Sequence, residues 1–357
     1  MAIPFAEPDP PLNFFATHEI EALDAHFALR NVPERQDGRL LLASWNIANL
    51  GAQDRPDRAL SVIAHILKRF DLIAVQEVND NFRNFRRIVS QMGDEFDFII
   101  SDTAGNDERL AFIYDTRRVE TDKLWGEVAF PERHFPRRDV VAHYRQNGQA
   151  KTQKFKRFRF QPFDRNPFIG SFRSGSVGFV LANVHLYFGA FQNSGNEANR
   201  LKYARRVLEI FALAKWADRV SKGGNAWDRD IILLGDMNVP NMEHNESTIR
   251  ALKEFGWQSL DYVSDETIGT DPSKLSHVGG TNLGNDKTYD QIAFAPTALN
   301  RRISDFGVFD FDNAIFRSKW DEIAADNSFG ASVRAFSKYV KYYISDHRPL
   351  WVQLRTT

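Results

Sequence analysis

Eight polar residues stand at or just beyond the ends of short apolar runs: Asn46, Glu77, His185, Asp236, Asn238, Asp290, Asp346 and His347. The clearest run is Ile231-Ile232-Leu233-Leu234, followed at once by Gly235-Asp236-Met237-Asn238. Four consecutive apolar residues between polar stretches suit a strand buried on both faces. Asp236 and Asn238 are two apart, so strand alternation aims both side chains the same way. Gly235 would let another group approach this backbone closely. Carboxylates and carboxamides without a thiol favour a hard, oxygen-seeking cation, Mg²⁺ or in its place Mn²⁺. Two histidines supply acid and base groups near neutral pH. With no Gly-Lys-Ser phosphate loop, this set points to metal-assisted hydrolysis of a phosphate ester by water.

Each residue also has a plainer use. Asn46 could be a turn residue, and Glu77 could pair with Arg83. His185, in Asn183-Val-His-Leu-Tyr, could be a satisfied core histidine. Asp346-His347 could cap the last strand. Eight repetitions of one strand-then-polar pattern outweigh those separate readings.

The pattern predicts the elements that carry these groups. Strands are expected over 39–46, 71–77, 96–100, 109–114, 167–172, 177–183, 231–234, 289–294 and 348–354. Helices are expected over 19–29, 82–92, 196–220 and 247–255. A further helix should start with Asp54 as N-cap and Pro56 in its first turn, burying Leu60, Ile63, Ala64 and Leu67. On the long helix, Leu201, Ala204, Leu208, Phe211 and Ala212 are expected to form the core face. Loops rich in Gly, Asn and Asp should fill 264–288.

Residues 1–37, with a Pro-rich start, form an N-terminal extension. No linker interrupts 38–357, which is expected to be one domain with an irregular insertion at about 120–165. Between Pro131 and Phe160 nine Lys and Arg face only Glu132 and Asp139, with Phe and Tyr interleaved. That stretch reads either as a solvated hairpin or as an arm for phosphates. The formal net charge of −1 argues against a uniformly basic nucleic-acid coat. Without cysteine, disulfides, thiol catalysis and cysteine-ligated zinc are excluded. No secretory pattern opens the chain, and no run approaches the roughly 18 apolar residues of a membrane span. A cytoplasmic protein with no membrane partner is the expectation, with non-classical export left open.

The motifs Trp45-Asn46-Ile47, Ile73-Ala-Val-Gln-Glu77-Val, Asn183-Val-His185-Leu, Gly235-Asp236-Met-Asn238, Tyr289-Asp290-Gln-Ile and Ser345-Asp346-His347-Arg-Pro resemble, in order, those of the endonuclease/exonuclease/phosphatase superfamily. The resemblance spans about residues 39–355 and is nearest to the deoxyribonuclease I branch. Glu108-Arg109-Leu-Ala-Phe-Ile-Tyr114 is similar to the strand whose glutamate orients the first histidine. Arg165-Asn-Pro-Phe is similar to an Arg-x-Pro phosphate-contacting turn. Phe309-Asp-Phe-Asp-Asn-Ala314 is similar to a stretch before the closing Ser-Asp-His.

This resemblance implies an α+β fold, two mostly antiparallel sheets face to face with helices outside, in four layers α/β/β/α. It implies Glu77 as principal Mg²⁺ ligand beside Asn46 and Asp346. Asp236 and Asn238 would flank the scissile phosphate, and Asp290 would orient its neighbours. His185, steered by Glu108, and His347 would be the acid–base pair. The activity implied is DNA endonuclease. Alternatives are the same chemistry on a phosphoinositide, another phospholipid or a small nucleotide, and a non-catalytic nucleic-acid-binding module.

The chain also departs from that branch. Asn79 stands where the branch has an arginine two residues after the motif glutamate, and its disulfides are impossible here. DNA grip is therefore expected to move to Arg137, Arg138, Lys154, Lys156 and Arg157, assisted by Arg165. A nuclease retained in a cell needs restraint, for which a protein partner held by residues 1–37 is one expectation. The sequence assigns no oligomeric state.

Overall fold

The computed structural model describes residues 3–147, 149–188, 196–224, 226–263 and 279–357. Much of the loop expected at 264–288 therefore lies outside the described residues. One sheet contains β1 (Arg39–Leu50), β2 (Leu72–Asn79), β3 (Phe96–Ile100), β4 (Glu108–Asp115), β13 (Ile303–Val308) and β14 (Leu350–Arg355), in the order β13-β14-β1-β2-β4-β3. The other contains β5 (Glu120–Glu127), β8 (Phe168–Ser174), β9 (Val177–His185), β10 (Ile231–Asp236), β11 (Gln258–Ser259) and β12 (Asp290–Phe294), in the order β11-β12-β10-β9-β8-β5. The helices are α1 (Ala16–Leu29), α2 (Asp57–Lys68), α3 (Phe82–Met92), α4 (Glu197–Lys222), α5 (Ser247–Lys253), α6 (Arg317–Ala325) and α7 (Phe329–Tyr343).

Strand alternation builds the layers. Leu40, Leu42, Leu72 and Ala74 of the first sheet meet Leu181, Ile232, Leu234 and Ile292 of the second in the central core. The intervening Leu41, Ala43, Ile73 and Val75 turn outward beneath α1, α2, α3 and α7. Ala182, Val184, Ile231 and Leu233 turn outward beneath α4 and α5. Both faces are dry, which is why the strands read as unbroken apolar runs. The fold is an α+β sandwich of two mixed sheets between helical layers.

Each sheet contains one parallel pair, β1 with β2 and β9 with β10. Antiparallel neighbours β4, β12 and β14 run the other way. The C-terminal ends of the parallel strands and the starts of their antiparallel neighbours therefore share one end of the sandwich. Gly235 permits part of this. Its φ is +131°, and a Cβ there would sit 2.1 Å from Val184 O on the adjacent strand.

Several elements differ from expectation. Residues 120–165 are not irregular: they contain β5 and a hairpin of β6 (Arg137–Gln146) and β7 (Gln149–Arg159). Val140 and Ala142 anchor the hairpin in the α4–α5 core, a periodicity masked by the surrounding charges. Asp54 is exposed and does not cap α2. Ala59 and Leu60 donate to Pro56 O, which starts that helix at Asp57. Leu201 is exposed, because α4 enters the core only from Tyr203 onward.

Residues before β1 enter the core too: Phe14, Leu23, Phe27 and Val32 are buried there. Phe27 stacks on Phe309 at 4.0 Å. Both His26 Nε2, at 2.8 Å, and Arg30 Nε, at 2.7 Å, reach Asp310 Oδ1. Phe309, Phe311 and Phe316 are buried, so this aromatic segment packs inward. No helix among the described residues is long and apolar enough to cross a membrane.

Candidate active site

Irregular backbone aims the polar groups at the shared end of the sheets. The pairing register shifts between Asn46 and Leu50 and between Val75 and Val78, a bulge around Glu77. Glu77 itself has φ +63°, and Asn238 has φ +53°. Left-handed backbone at non-glycine residues is costly and clusters at functional sites. Behind them a polar tie joins the sheets. Gln76 Nε2 donates to Asn183 Oδ1 at 2.7 Å, and Asn183 Nδ2 donates to the carbonyls of Val75 and Ala111.

Asn46 links the halves of the site. Its Nδ2 donates to Glu77 Oε1 at 2.9 Å and to Asp236 Oδ2 at 3.1 Å. Glu77 Oε2 accepts from Asn49 N at 2.7 Å. His185 Nδ1 lies 2.8 Å from Glu108 Oε2, and its Nε2 lies 3.6 Å from Asp236 Oδ2. From the other side, His347 Nδ1 lies 2.8 Å from Asp290 Oδ2, and its Nε2 lies 3.7 Å from the same Asp236 oxygen.

The segment carrying His347 is latched to β1. Trp45 Nε1 donates to His347 O at 2.8 Å, and Ser345 Oγ donates to Asn46 O at 2.7 Å. Asp346 lies close enough to Glu77 for their charges to interact.

Charge is unevenly shared. Burial and Arg165 push His185 down, but Glu108 and Asp236 outweigh them, leaving its pKa raised. Burial also opposes protonation of His347, yet Asp290 and Asp236 raise it well above the ordinary histidine range. Asp236 is lowered, since both imidazoles overcome the cost of its burial. Glu77 is raised by burial and by Glu108 and Asp346, against the pull of His185.

All eight strand-end residues and Glu108 thus fall in one neighbourhood. Asn238 N donates to Asp236 Oδ1, while its Nδ2 donates to Leu186 O. Arg165 is placed differently from a surface phosphate contact. It is buried, and Nε and one terminal nitrogen donate to the carbonyls of His185 and Leu186. Arg137, Arg138, Lys154, Lys156 and Arg157 lie on the β6–β7 hairpin. Arg138 pairs with Glu254 and Lys154 with Asp139.

Three positions escaped the sequence reading. Arg206 donates to Asn238 O at 2.6 Å, Asn49 holds Glu77, and Arg55 is buried near Glu77 and Asp346. None directly follows an apolar run as the strand-end residues do.

Among the described residues, no three His, Asp or Glu side chains are grouped closely enough to hold a metal ion by themselves. The donor chemistry beside Glu77 nevertheless fits a hard cation. Among the described residues Asn46 Oδ1 is buried without a hydrogen-bond partner, next to a carboxylate raised by burial and by neighbouring negative charge.

The chain is 29% identical to a deoxyribonuclease of Thioalkalivibrio sp. (strain K90mix) over 223 residues, covering 60% of this chain and 50% of that protein. It is 20% identical to mouse (Mus musculus) deoxyribonuclease gamma over 309 residues, covering 81% and 82% of the two. These alignments accompany two carboxylate-backed histidines converging on one aspartate. The chain resembles the endonuclease/exonuclease/phosphatase superfamily. Within that superfamily it is most like the deoxyribonuclease I branch. It spans about half the length of the bacterial relative and 63% of human (Homo sapiens) deoxyribonuclease gamma, to which it is 22% identical over 60% of its own length. No protein-family model matches. Among solved structures, an endonuclease/exonuclease/phosphatase family protein from Bacteroides thetaiotaomicron shares 17% identity at TM-score 0.49, covering 89% of this chain and 98% of that one.

Proposed function

We propose that the chain is a divalent-metal-dependent phosphodiesterase that cleaves nucleic acid, as a DNA endonuclease. The observation carrying this reading is the approach of His185 and His347 to one Asp236 oxygen, each ring backed by its own carboxylate. In this reading the scissile phosphate would be flanked by the two Nε2 atoms, each a proton carrier.

Glu77, Asn46 and Asp346 would hold Mg²⁺, or Mn²⁺ in its place. When bound, the ion would polarise a phosphoryl oxygen and offset charge developing during displacement. One imidazole takes a proton from the attacking water as the new P–O bond forms. The other gives a proton to the ester oxygen as the old P–O bond breaks. Asp236 keeps both rings facing the same space. Asn238 spends one amide N–H on Leu186 and retains a second for a phosphate oxygen. Arg165 and Glu108 fix the strand end and ring of His185. Asp290 fixes His347.

The hairpin favours nucleic acid over a lipid substrate. Arg137, Lys156 and Arg157 are exposed on it, whereas the phenylalanines of 309–316 are turned into the core and offer no apolar loop to a bilayer. Residues 38–357 form the catalytic unit in this reading, and a restraining partner would engage the exposed part of residues 3–37.

The test is a substrate panel of supercoiled plasmid, linear duplex, single-stranded DNA, RNA and phosphoinositide vesicles, each with Mg²⁺ and with chelator. Nicking of plasmid that disappears with chelator is expected. Hydrolysis of lipid alone would overturn the nuclease reading, and undiminished cleavage in chelator would overturn the metal.

A further inference from the structure

Arg55 lies in the loop between β1 and α2 and is only 3% exposed. One terminal nitrogen donates to Ala48 O at 2.5 Å. Among the described residues, Nε and the other terminal nitrogen have no hydrogen-bond partner. Burying a guanidinium with unsatisfied donors is unfavourable unless its charge has a use. The Ala48 carbonyl belongs to the same peptide unit as Asn49 N–H, which donates to Glu77 Oε2, and Arg55 feels the charges of Glu77 and Asp346, with Tyr342 third.

The end of β1, to which this loop is tied, grips the same carboxylate. Asn49 N holds Glu77 Oε2, Gln53 N donates to Asn49 O at 2.7 Å, and Gln53 Oε1 accepts from Phe5 N at 2.8 Å. The chain therefore keeps a fixed cation behind an anionic cluster that also contains the unpartnered Asn46 oxygen.

We propose that Arg55 is the internal counter-ion of the metal-binding carboxylates, offsetting the charge of Glu77 and Asp346 and holding their affinity for a divalent cation down. Without a cation, Arg55 keeps the cluster compatible with burial. With one, it repels the ion and promotes exchange. This makes Arg55 a positioning residue that acts through Glu77 and Asp346, and it rests on the reading that those residues hold a cation.

The test is calorimetric titration of the full, metal-stripped chain with Mn²⁺ and with Mg²⁺, for wild type, Arg55→Gln and Arg55→Lys. Removing a unit charge this close should tighten Mn²⁺ binding by about ten-fold or more. Arg55→Gln should melt lower without metal and gain more in Tm than wild type when Mn²⁺ is added. Arg55→Lys, which keeps the charge, should bind Mn²⁺ within about three-fold of wild type. A folded Arg55→Gln that binds Mn²⁺ no more tightly than wild type would overturn the proposal. If Arg55→Gln is unfolded without metal, Mn²⁺ should restore a cooperative melt, and failure to restore it would equally overturn the proposal. Wild type that binds neither cation would instead remove the metal reading itself.

Discussion

His185 and His347 each present Nδ1 to a carboxylate at 2.8 Å and Nε2 to Asp236, at 3.6 and 3.7 Å respectively. Their surroundings differ behind the ring. On the His185 side, Arg165 stands against the pull of Glu108 and Asp236. On the His347 side the carboxylates of Asp290, Asp236 and Asp346 all pull the ring toward protonation. Both pKa values are raised, and His347 is raised well above its ordinary range. Equal geometry with unequal fields lets two copies of one side chain hold protons with different tenacity. An acid–base pair requires that difference.

The comparison can be broken at the carboxylates. Asp290→Asn and Glu108→Gln each remove a charge that raises the adjacent histidine, so both histidine pKa values should fall. The fall should be larger for His347, where Asp290 is the largest charge raising the ring. Turnover should drop roughly 100-fold in each. Histidine NMR titration of the two variants reads the shifts, and equal shifts would erase the asymmetry.

A smaller effect should come from the hairpin, which lies on the His185 side. There Arg205 packs over Tyr187, two residues beyond His185, while Arg200 packs over Tyr144 of β6. Replacing exposed Arg137, Lys156 and Arg157 by alanine should reduce the slope of log K against log salt for duplex DNA by about 2–3. Both histidine pKa values should stay unchanged. An unaltered slope would remove the hairpin from DNA binding.

Glu209 sharpens the same flank with a smaller change still. Buried on α4, it accepts from Tyr187 N at 2.8 Å, and burial raises its carboxyl pKa to about 7 despite that bond and the nearby Arg205 and Arg165. A carboxyl with a raised folded pKa contributes stability fully present below the unfolded value near 4.5, lost as pH rises through about 7. Denaturant unfolding should show stability falling over that window by at most about 3 kcal/mol from this group. Glu209→Gln should flatten the fall, and a slope identical to wild type would contradict the assignment.

Much of this site was legible because burial on both strand faces left no room for polar residues except at the ends. Asp236, His185, Asn46 and Glu77 stood out against apolar runs for that reason. The α/β/β/α layering was implied by the family resemblance and not by the runs themselves. Arg55 was hidden because a single arginine in the loop between Gly51 and Pro56 looks solvated until the fold encloses it. The left-handed backbone of Glu77 left no mark in residue type. A hairpin was one reading of residues 131–160; the flanking charges obscured only its anchorage in the core through Val140 and Ala142. Arg165 was expected as a phosphate contact; its burial against two carbonyls comes from tertiary packing.

In the proposed reaction His185 of β9 and His347, on the segment entering β14, act as one phosphodiester-cleaving unit. The most direct measurement is kcat/KM on supercoiled plasmid with Mg²⁺ for wild type, His185→Ala, His347→Ala and the double variant, with thermal melts to verify folding. Each single substitution should cost roughly 10²–10⁴-fold, and the double should be no more than about ten-fold worse than the poorer single. Folded single variants within about ten-fold of wild type, or losses that simply multiply in the double variant, would contradict it.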